Sequence, residues 1–315
     1  MTRAFVTGIG GQDGSYLAEQ LIARGAEVHA LVHAVDGAGP HCPPDVVLHD
    51  GDLADIEALR ALLLVLAPDE IYNLAAISSV AQSWEQPDLA ALVNGTAAVA
   101  LLETAHQVQE RSARPVRLVQ ASSAEMFGEP DRTPQDEDTR IRPLNPYGAA
   151  KAYAHLMVDV YRRRDLHACS LVLYNHESPR RPTRFVTRKI TSTVAAIARG
   201  DTDALTLGNL DARRDWGWAP DYTDAMVRVA RAELPGDYVV ATGVGHTVRE
   251  FVTAAFAHVG ITDWEHLVTT DSRFVRPADA SELVGDASKA RRELGWTPTL
   301  TFADIVGRMV DADLA

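Results

Sequence analysis

The stretch T-G-I-G-G-Q-D-G, Thr7 to Gly14, follows the apolar run A-F-V-T (4–7) and opens a helix-length amphipathic segment near 14–24. Gly8, Gly11 and Gly14 stand three residues apart in it. Glycine lets the backbone turn sharply and approach a pyrophosphate, which then rests on the free N–H groups at the positive end of the helix. A lone glycine pattern is weak. One that has a strand before it and a helix after it is a dinucleotide-binding signal.

The rest of the first half repeats that rhythm. E-V-H-A-L-V (27–32), V-V-L (46–48), I-Y-N-L (71–74), V-R-L-V-Q-A (116–121) and S-L-V-L-Y (170–174) read as strands, and segments near 55–65, 88–109 and 147–164 as helices. Such alternation predicts parallel strands joined by crossover helices, hence a doubly wound α/β sheet of the Rossmann type. Beyond residue 175, Pro179, Pro182 and a run of arginines break the pattern, and shorter elements follow, among them Y-V-V-A-T (238–242) and a helix near 248–258. The expected division is a dinucleotide-binding body over 1–174 and a smaller mixed α/β C-terminal substrate-binding region over 175–315, some of whose segments return to the first body.

With 315 residues, 46% hydrophobic and 23% charged, the chain has the makings of a large globular core. A net charge of −13 argues against nucleic acid as a partner, because neutralising phosphates needs a basic surface. Cys42 and Cys169 lie far apart and outside any metal-ligand spacing, so no metal is expected and a reducing cytoplasm fits best. The N-terminus runs directly into a strand, and no stretch approaches the ~18 apolar residues of a membrane span.

Two further stretches carry chemistry. A-S-S-A-E-M-F-G (121–128) stands at the C-terminal end of the fifth strand, where open α/β sheets bind ligands. N-P-Y-G-A-A-K (145–151) places Tyr147 and Lys151 four apart, on one face of the helix that Asn145-Pro146 begins. An ammonium near a phenol lowers the phenol's pKa from about 10, so the pair is either a base near neutral pH or a surface pair. Ser123, Tyr147 and Lys151 together resemble the serine, tyrosine and lysine arrangement of the short-chain dehydrogenases.

From these residues the whole chain resembles an extended short-chain dehydrogenase/reductase, and more narrowly the GDP-mannose 4,6-dehydratase family. The matching runs are T-G-I-G-G-Q-D-G-S-Y-L-A-E, I-Y-N-L-A-A, N-P-Y-G-A-A-K, N-H-E-S-P-R-R, F-V-T-R-K-I, L-G-N-L-D-A-R-R-D-W-G and R-P-A-D. The resemblance implies Ser123, Glu125, Tyr147 and Lys151 as catalytic residues. Glu125 would select the reaction, taking the carbon 5 proton that water loss requires. It further implies that Gly8, Gly11, Gln12, Asp13, Gly14, His33, Asp52, Leu53, Leu74, Ala75 and Ala76 bind the dinucleotide beside Tyr147 and Lys151. Asn175, Val186, Lys189, Leu207, Asn209, Arg214, Arg276 and Asp279 would line a GDP-sugar.

The chain departs from that family in places. Ser123 stands where threonine is usual, and the Arg-Arg-Ser run after the second strand, which binds the NADP 2′-phosphate and joins tetramers, is replaced by H-A-V-D-G-A-G-P-H-C-P-P (33–44). The resemblance implies NADP, the residues leave NAD open, and a homodimer is expected ahead of a homotetramer. Arg180, Arg181, Arg184 and Arg188 read either as an anion site or as a solvated basic loop. Alternatives to the dehydratase are a GDP-heptose dehydratase, epimerase or 4-keto reductase on the same fold, or a non-catalytic dinucleotide-binding regulator.

Overall fold

A computed structural model describes residues 1–33, 37–274, 280 and 282–315. The first body is built by β1 (Arg3–Thr7), α1 (Gln12–Ala23), β2 (Glu27–Val32), β3 (Val47–Asp50), α2 (Ile56–Leu66) and β4 (Glu70–Asn73). It continues through α3 (Val80–Glu85), α4 (Pro87–Ala91), a π turn (Leu92–Thr96), α5 (Ala97–Ser112), β5 (Arg117–Ser123), α6 (Pro146–Arg162) and β6 (His167–Leu173). Asp55 caps α2 by accepting from Ala58 N, and Asn145 caps α6 by accepting from Gly148 N, each relieving a first-turn donor.

The later chain contributes β7 (Asn175–Glu177), α7 (Val186–Arg199), β8 (Leu205–Leu207), β9 (Arg213–Trp218), α8 (Ala219–Ala230) and β10 (Asp237–Val240). β11 (Gly245–Thr247), α9 (Val248–His258), β12 (Val268–Thr270), β13 (Glu282–Leu283), α10 (Ser288–Leu294) and α11 (Phe302–Leu314) complete it. α7, α8 and α11 are full helices where the sequence suggested only short elements. Pro179, Pro182 and Pro220 lie before or at the starts of α7 and α8, in positions that break a running pattern without entering a helix interior.

Seven strands form one sheet in the order β10-β6-β5-β4-β1-β2-β3, and every pairing is parallel. Strand order reverses about β1, which creates the switch-point crevice at the C-terminal strand ends. One face packs Leu17, Ala18 and Leu21 of α1 against Tyr222, Met226 and Val229 of α8; the other packs Leu59 and Leu63 of α2 against Leu101 and Leu102 of α5. Each fully buried leucine stabilises the fold by roughly 1.5–3 kcal/mol relative to exposure.

Contrary to the expectation that no stretch approaches a membrane span, the run Pro87–Ser112 is long and apolar enough by length and composition, but 56% of its apolar window is buried in the protein. It packs against α2 and α6 as a core helix. A second core, around Trp216, Phe251, Phe256, Ile305 and Met309, joins α7, α9 and α11. β7 pairs in parallel with β9, Asn175 opposite Trp216 and Glu177 opposite Trp218. The two most distinctive runs of the later sequence are therefore hydrogen-bonded neighbours.

Candidate active site

The glycine loop is shaped to receive a ligand. Gly8 has φ +79°, and a Cβ there would stand 2.8 Å from Ala75 N, so a side chain would push the β1 turn off the β4 turn. Thr7 Oγ1 donates to Asn73 Oδ1 at 2.8 Å and accepts from Leu74 N and Ala75 N at 3.1 and 3.0 Å, locking those turns together. α1 has Gly11 at its N-cap and no side-chain cap, so its first-turn amides are open to an anion. These residues fit a dinucleotide pyrophosphate. Leu53 is buried, and Asp52 Oδ1 accepts from Ala54 N at 2.8 Å beyond the end of β3.

Ser123, Glu125, Tyr147 and Lys151 come together above β5. Ser123 Oγ accepts from Glu125 N at 3.3 Å, and the Ser123 side chain is near enough to the Tyr147 hydroxyl to favour its phenolate form. Asn145 acts on both sides of the site: its Oδ1 accepts from Gly148 N at 2.7 Å and caps α6, and its Nδ2 donates to Glu125 Oε2 at 2.9 Å. Gly148 permits this approach, since a Cβ there would lie 2.5 Å from Glu125 O. Ser83 Oγ accepts from Tyr147 N at 3.2 Å, fixing the first turn of α6.

Lys151 is buried, donates to Ala121 O at 2.7 Å, and lies 5.9 Å from the Tyr147 ring centre. Burial pushes Tyr147 up to about 12, opposed by the Ser123 side chain and reinforced by the Glu125 charge. Burial likewise brings Lys151 down to about 8, against the pull of Asp13. The expectation of a phenol with a lowered pKa is thus not met in the protein alone. Desolvation outweighs an ammonium that lies beyond contact distance.

Beside the triad is a buried polar cluster that joins Gln12 and Asp13, expected at the dinucleotide, to His176 and Ser178, which the sequence reading did not single out. His176 Nε2 meets Asp13 Oδ2 at 2.9 Å, and its Nδ1 meets the Tyr174 carbonyl at 2.7 Å. Gln12 Nε2 donates to the His176 carbonyl, and Ser178 Oγ donates to Gln12 Oε1 at 2.8 Å. Burial opposes both charges, but their mutual attraction wins, holding Asp13 below and His176 above their ordinary values. The N-H-E-S run is therefore buckled to the glycine-loop helix. The only sequence signal was the run itself, since these partners are more than 160 positions apart.

Asn94 in the π turn is a second such residue: its side chain both accepts from Ile77 N at 2.8 Å and donates to Ile77 O at 3.1 Å, holding the loop after β4. One extra residue in a helical turn leaves no periodicity to read, although π turns often mark functional sites.

The substrate-side residues are more scattered. Asn175 begins β7, Val186 and Lys189 lie on the first turn of α7, and Lys189 Nζ stands 3.9 Å over the Phe274 ring. Leu207 is buried at the end of β8, and Asn209 lines a cavity of about 430 Å³ with Asp211, Arg249, Thr270 and Asp271. Arg214 is buried, donating to the carbonyls of Arg213 and Ala280 at 2.8 and 2.9 Å. Arg276 and Asp279 lie outside the described residues. The arginine run divides between internal partners: Arg180 pairs with Glu19, Arg181 with Glu177 and Arg188 with Asp313. Those three are tied to carboxylates of the fold, which takes the reading away from a free anion-binding loop.

A parallel sheet with a glycine-rich first turn and a Ser-Tyr-Lys cluster at its C-terminal edge defines a short-chain dehydrogenase/reductase of the epimerase and dehydratase type. The family model for GDP-mannose 4,6 dehydratase matches residues 5–309, and the chain belongs to that family. It is 46% identical to GDP-mannose 4,6 dehydratase 1 of Arabidopsis thaliana over 99% of this chain and 89% of the relative. It is 39% identical to GDP-mannose 4,6-dehydratase of Vibrio cholerae over 99% of this chain and 94% of the relative. Among solved structures, Thermus thermophilus UDP-glucose 4-epimerase in complex with NAD matches at a TM-score of 0.86 and 29% identity, over 99% of each chain.

Proposed function

We infer that the chain is a GDP-mannose 4,6-dehydratase, converting GDP-D-mannose to GDP-4-keto-6-deoxy-D-mannose by internal hydride transfer and loss of water. The observation that carries this reading is Glu125, a carboxylate held by Asn145 and close enough to Tyr147 to act on its titration. An epimerase or 4-keto reductase needs only Ser123, Tyr147 and Lys151. Dehydration needs a second base.

A nicotinamide dinucleotide is the cofactor, and when bound it accepts the hydride from carbon 4 of the sugar and returns it to carbon 6. Gly8, Gly11, Gln12, Asp13, Gly14 and the loop Leu74–Ala75–Ala76 form its cradle, with His33, Asp52 and Leu53 at the adenosine end. Ser123 binds the 4-oxygen, and Tyr147 removes the 4-hydroxyl proton while Lys151 holds positive charge beneath it. Once carbon 4 is a ketone, the carbon 5 proton is acidic. Glu125 takes that proton, and of the two protons now held by Glu125 and Tyr147 one goes to the carbon 6 hydroxyl, which leaves as water, and the other to carbon 5. Positioned acid–base groups contribute roughly 10²–10⁴-fold each.

We place the GDP moiety against the later part of the chain, 175–315, with Asn175, Val186, Lys189, Leu207, Asn209, Arg214, Arg276 and Asp279 along it. The reaction is assigned to the cytoplasm. α6 also carries an outward stripe, Tyr153, Leu156 and Val160, each 46–55% exposed, and Trp84 nearby is 46% exposed. Such a stripe at helical spacing supports a homodimer through α6 and its neighbours.

The test is to incubate the purified protein with GDP-mannose and each dinucleotide and follow the sugar nucleotide by mass spectrometry. Loss of one water with no net change in the cofactor is expected, with Tyr147→Phe reduced at least 10³-fold. An unchanged mass with altered stereochemistry would replace this reading with an epimerase.

A further inference from the structure

We propose that the site selects NAD over NADP, and that His33 and Asp52 make the choice. The inference rests on the dinucleotide reading and goes beyond it, to the ribose 2′ position. In a doubly wound sheet that position is read at the end of β2, where an acid accepts from the hydroxyl or an arginine pairs with the 2′-phosphate. Here β2 ends at Val32 and is followed by His33.

The carboxylate missing from β2 arrives from the neighbouring strand. Asp52, two residues past β3, brings Oδ2 to 3.9 Å from His33 Nε2. Its other oxygen is fixed by Ala54 N at 2.8 Å, so the group is oriented. Asp52 also closes one wall of a cavity of about 320 Å³ whose lining includes Asp50, His49 and Leu31 and no lysine or arginine. Across the crevice, the backbone of Ala38 and Gly39 rests on the glycine loop: a Cβ on Gly39 would stand 3.0 Å from Gly10 O.

The sequence closes the remaining route to a cation. No lysine or arginine occurs between Arg24 and Arg60, whereas Asp36, Asp45, Asp50, Asp52 and Asp55 all do. A 2′-phosphate would therefore bring its charge to an oriented carboxylate with no lysine or arginine from residues 25–59 to receive it. A ribose hydroxyl, by contrast, donates to that carboxylate.

The test is equilibrium binding of NAD⁺ and NADP⁺, by calorimetry, to full-length protein stripped of nucleotide, with mass identification of any dinucleotide released when the purified protein is denatured. Charge-assisted hydrogen bonds are worth about 1.5–3 kcal/mol, so NAD⁺ is expected to bind roughly 10- to 150-fold more tightly, and the released nucleotide to be NAD. In His33→Arg the ratio should move at least tenfold toward NADP⁺. Tighter binding of NADP⁺ by the wild type, or a ratio unmoved by His33→Arg, overturns the proposal and leaves the dinucleotide reading intact. If neither nucleotide binds, the dinucleotide reading itself falls.

Discussion

Replacing Asn145 separates its two jobs. Asn145→Ser keeps a side-chain oxygen that can cap α6, since serine and asparagine rank together at N-caps, but it removes the amide donor that holds Glu125 Oε2 at 2.9 Å. A hydrogen bond to a charged group is worth about 1.5–3 kcal/mol, which corresponds to a loss of roughly 10- to 150-fold if the carboxylate must be held in place for the carbon 5 proton. Asn145→Asp caps equally well but sets a second carboxylate against Glu125. The repulsion between unit charges about 4 Å apart runs from about 1 kcal/mol in water to about 4 kcal/mol at protein-surface screening. The order of kcat is therefore wild type, then Ser, then Asp, with melting temperatures that stay close. The assay is GDP-mannose dehydration followed by mass, together with deuterium uptake at carbon 5 in heavy water, which reports the proton step by itself. A serine variant with kcat within twofold of wild type refutes the reasoning, because Glu125 would then not depend on Asn145.

The Asp13–His176 pair sets a pH window for stability. Asp13 is lowered, so its contribution is present above the unfolded carboxylate value and lost as pH falls through the folded one; His176 is raised, so its contribution is full below the unfolded imidazole value and lost as pH rises through the folded one. The melting-temperature gap between wild type and His176→Gln should accordingly be wider at about pH 6 than at about pH 9, and a gap that grows with pH refutes the ion pair. At the proposed dimer face, Leu156→Glu puts a charge on a side chain that is 55% exposed in the single chain. It should convert the dimer to monomer in light scattering without lowering the monomer's folding cooperativity; an unchanged mass sends the interface elsewhere.

Much of this was legible in the sequence because it is local. The glycine loop, the cap-and-helix of N-P-Y-G-A-A-K and the strand rhythm each lie within a few residues of their cause. The predicted helix over 248–258 coincides with α9, and the strand at 27–32 with β2. The helix expected over 88–109 instead has three parts, α4, the π turn and α5, because an inserted residue shifts the face without changing composition. Nonlocal pairing was out of reach. Nothing near His176 announces Asp13, and nothing in the arginine run announces Glu19 and Asp313, whose carboxylates take Arg180 and Arg188; only Glu177, four residues before Arg181, was local. The titration of Tyr147 was misjudged for a related reason: burial is a property of the fold, and it outweighs the neighbour that sequence spacing could show.

The edge strand β10 has a consequence for how the chain is made. Residues 237–240 pair with β6 while α8, 219–230, covers α1, so the first body is sealed by segments translated long after its own strands. A nascent chain that has emerged as far as β6 presents an unpaired strand edge and an uncovered helix flank, a combination prone to wrong association. Synthesis must run on for more than sixty residues past β6 before that edge is closed. The N-terminal half thus waits on the ribosome for its own completion, and a chain cut after residue 174 is expected to precipitate where the full chain stays in solution.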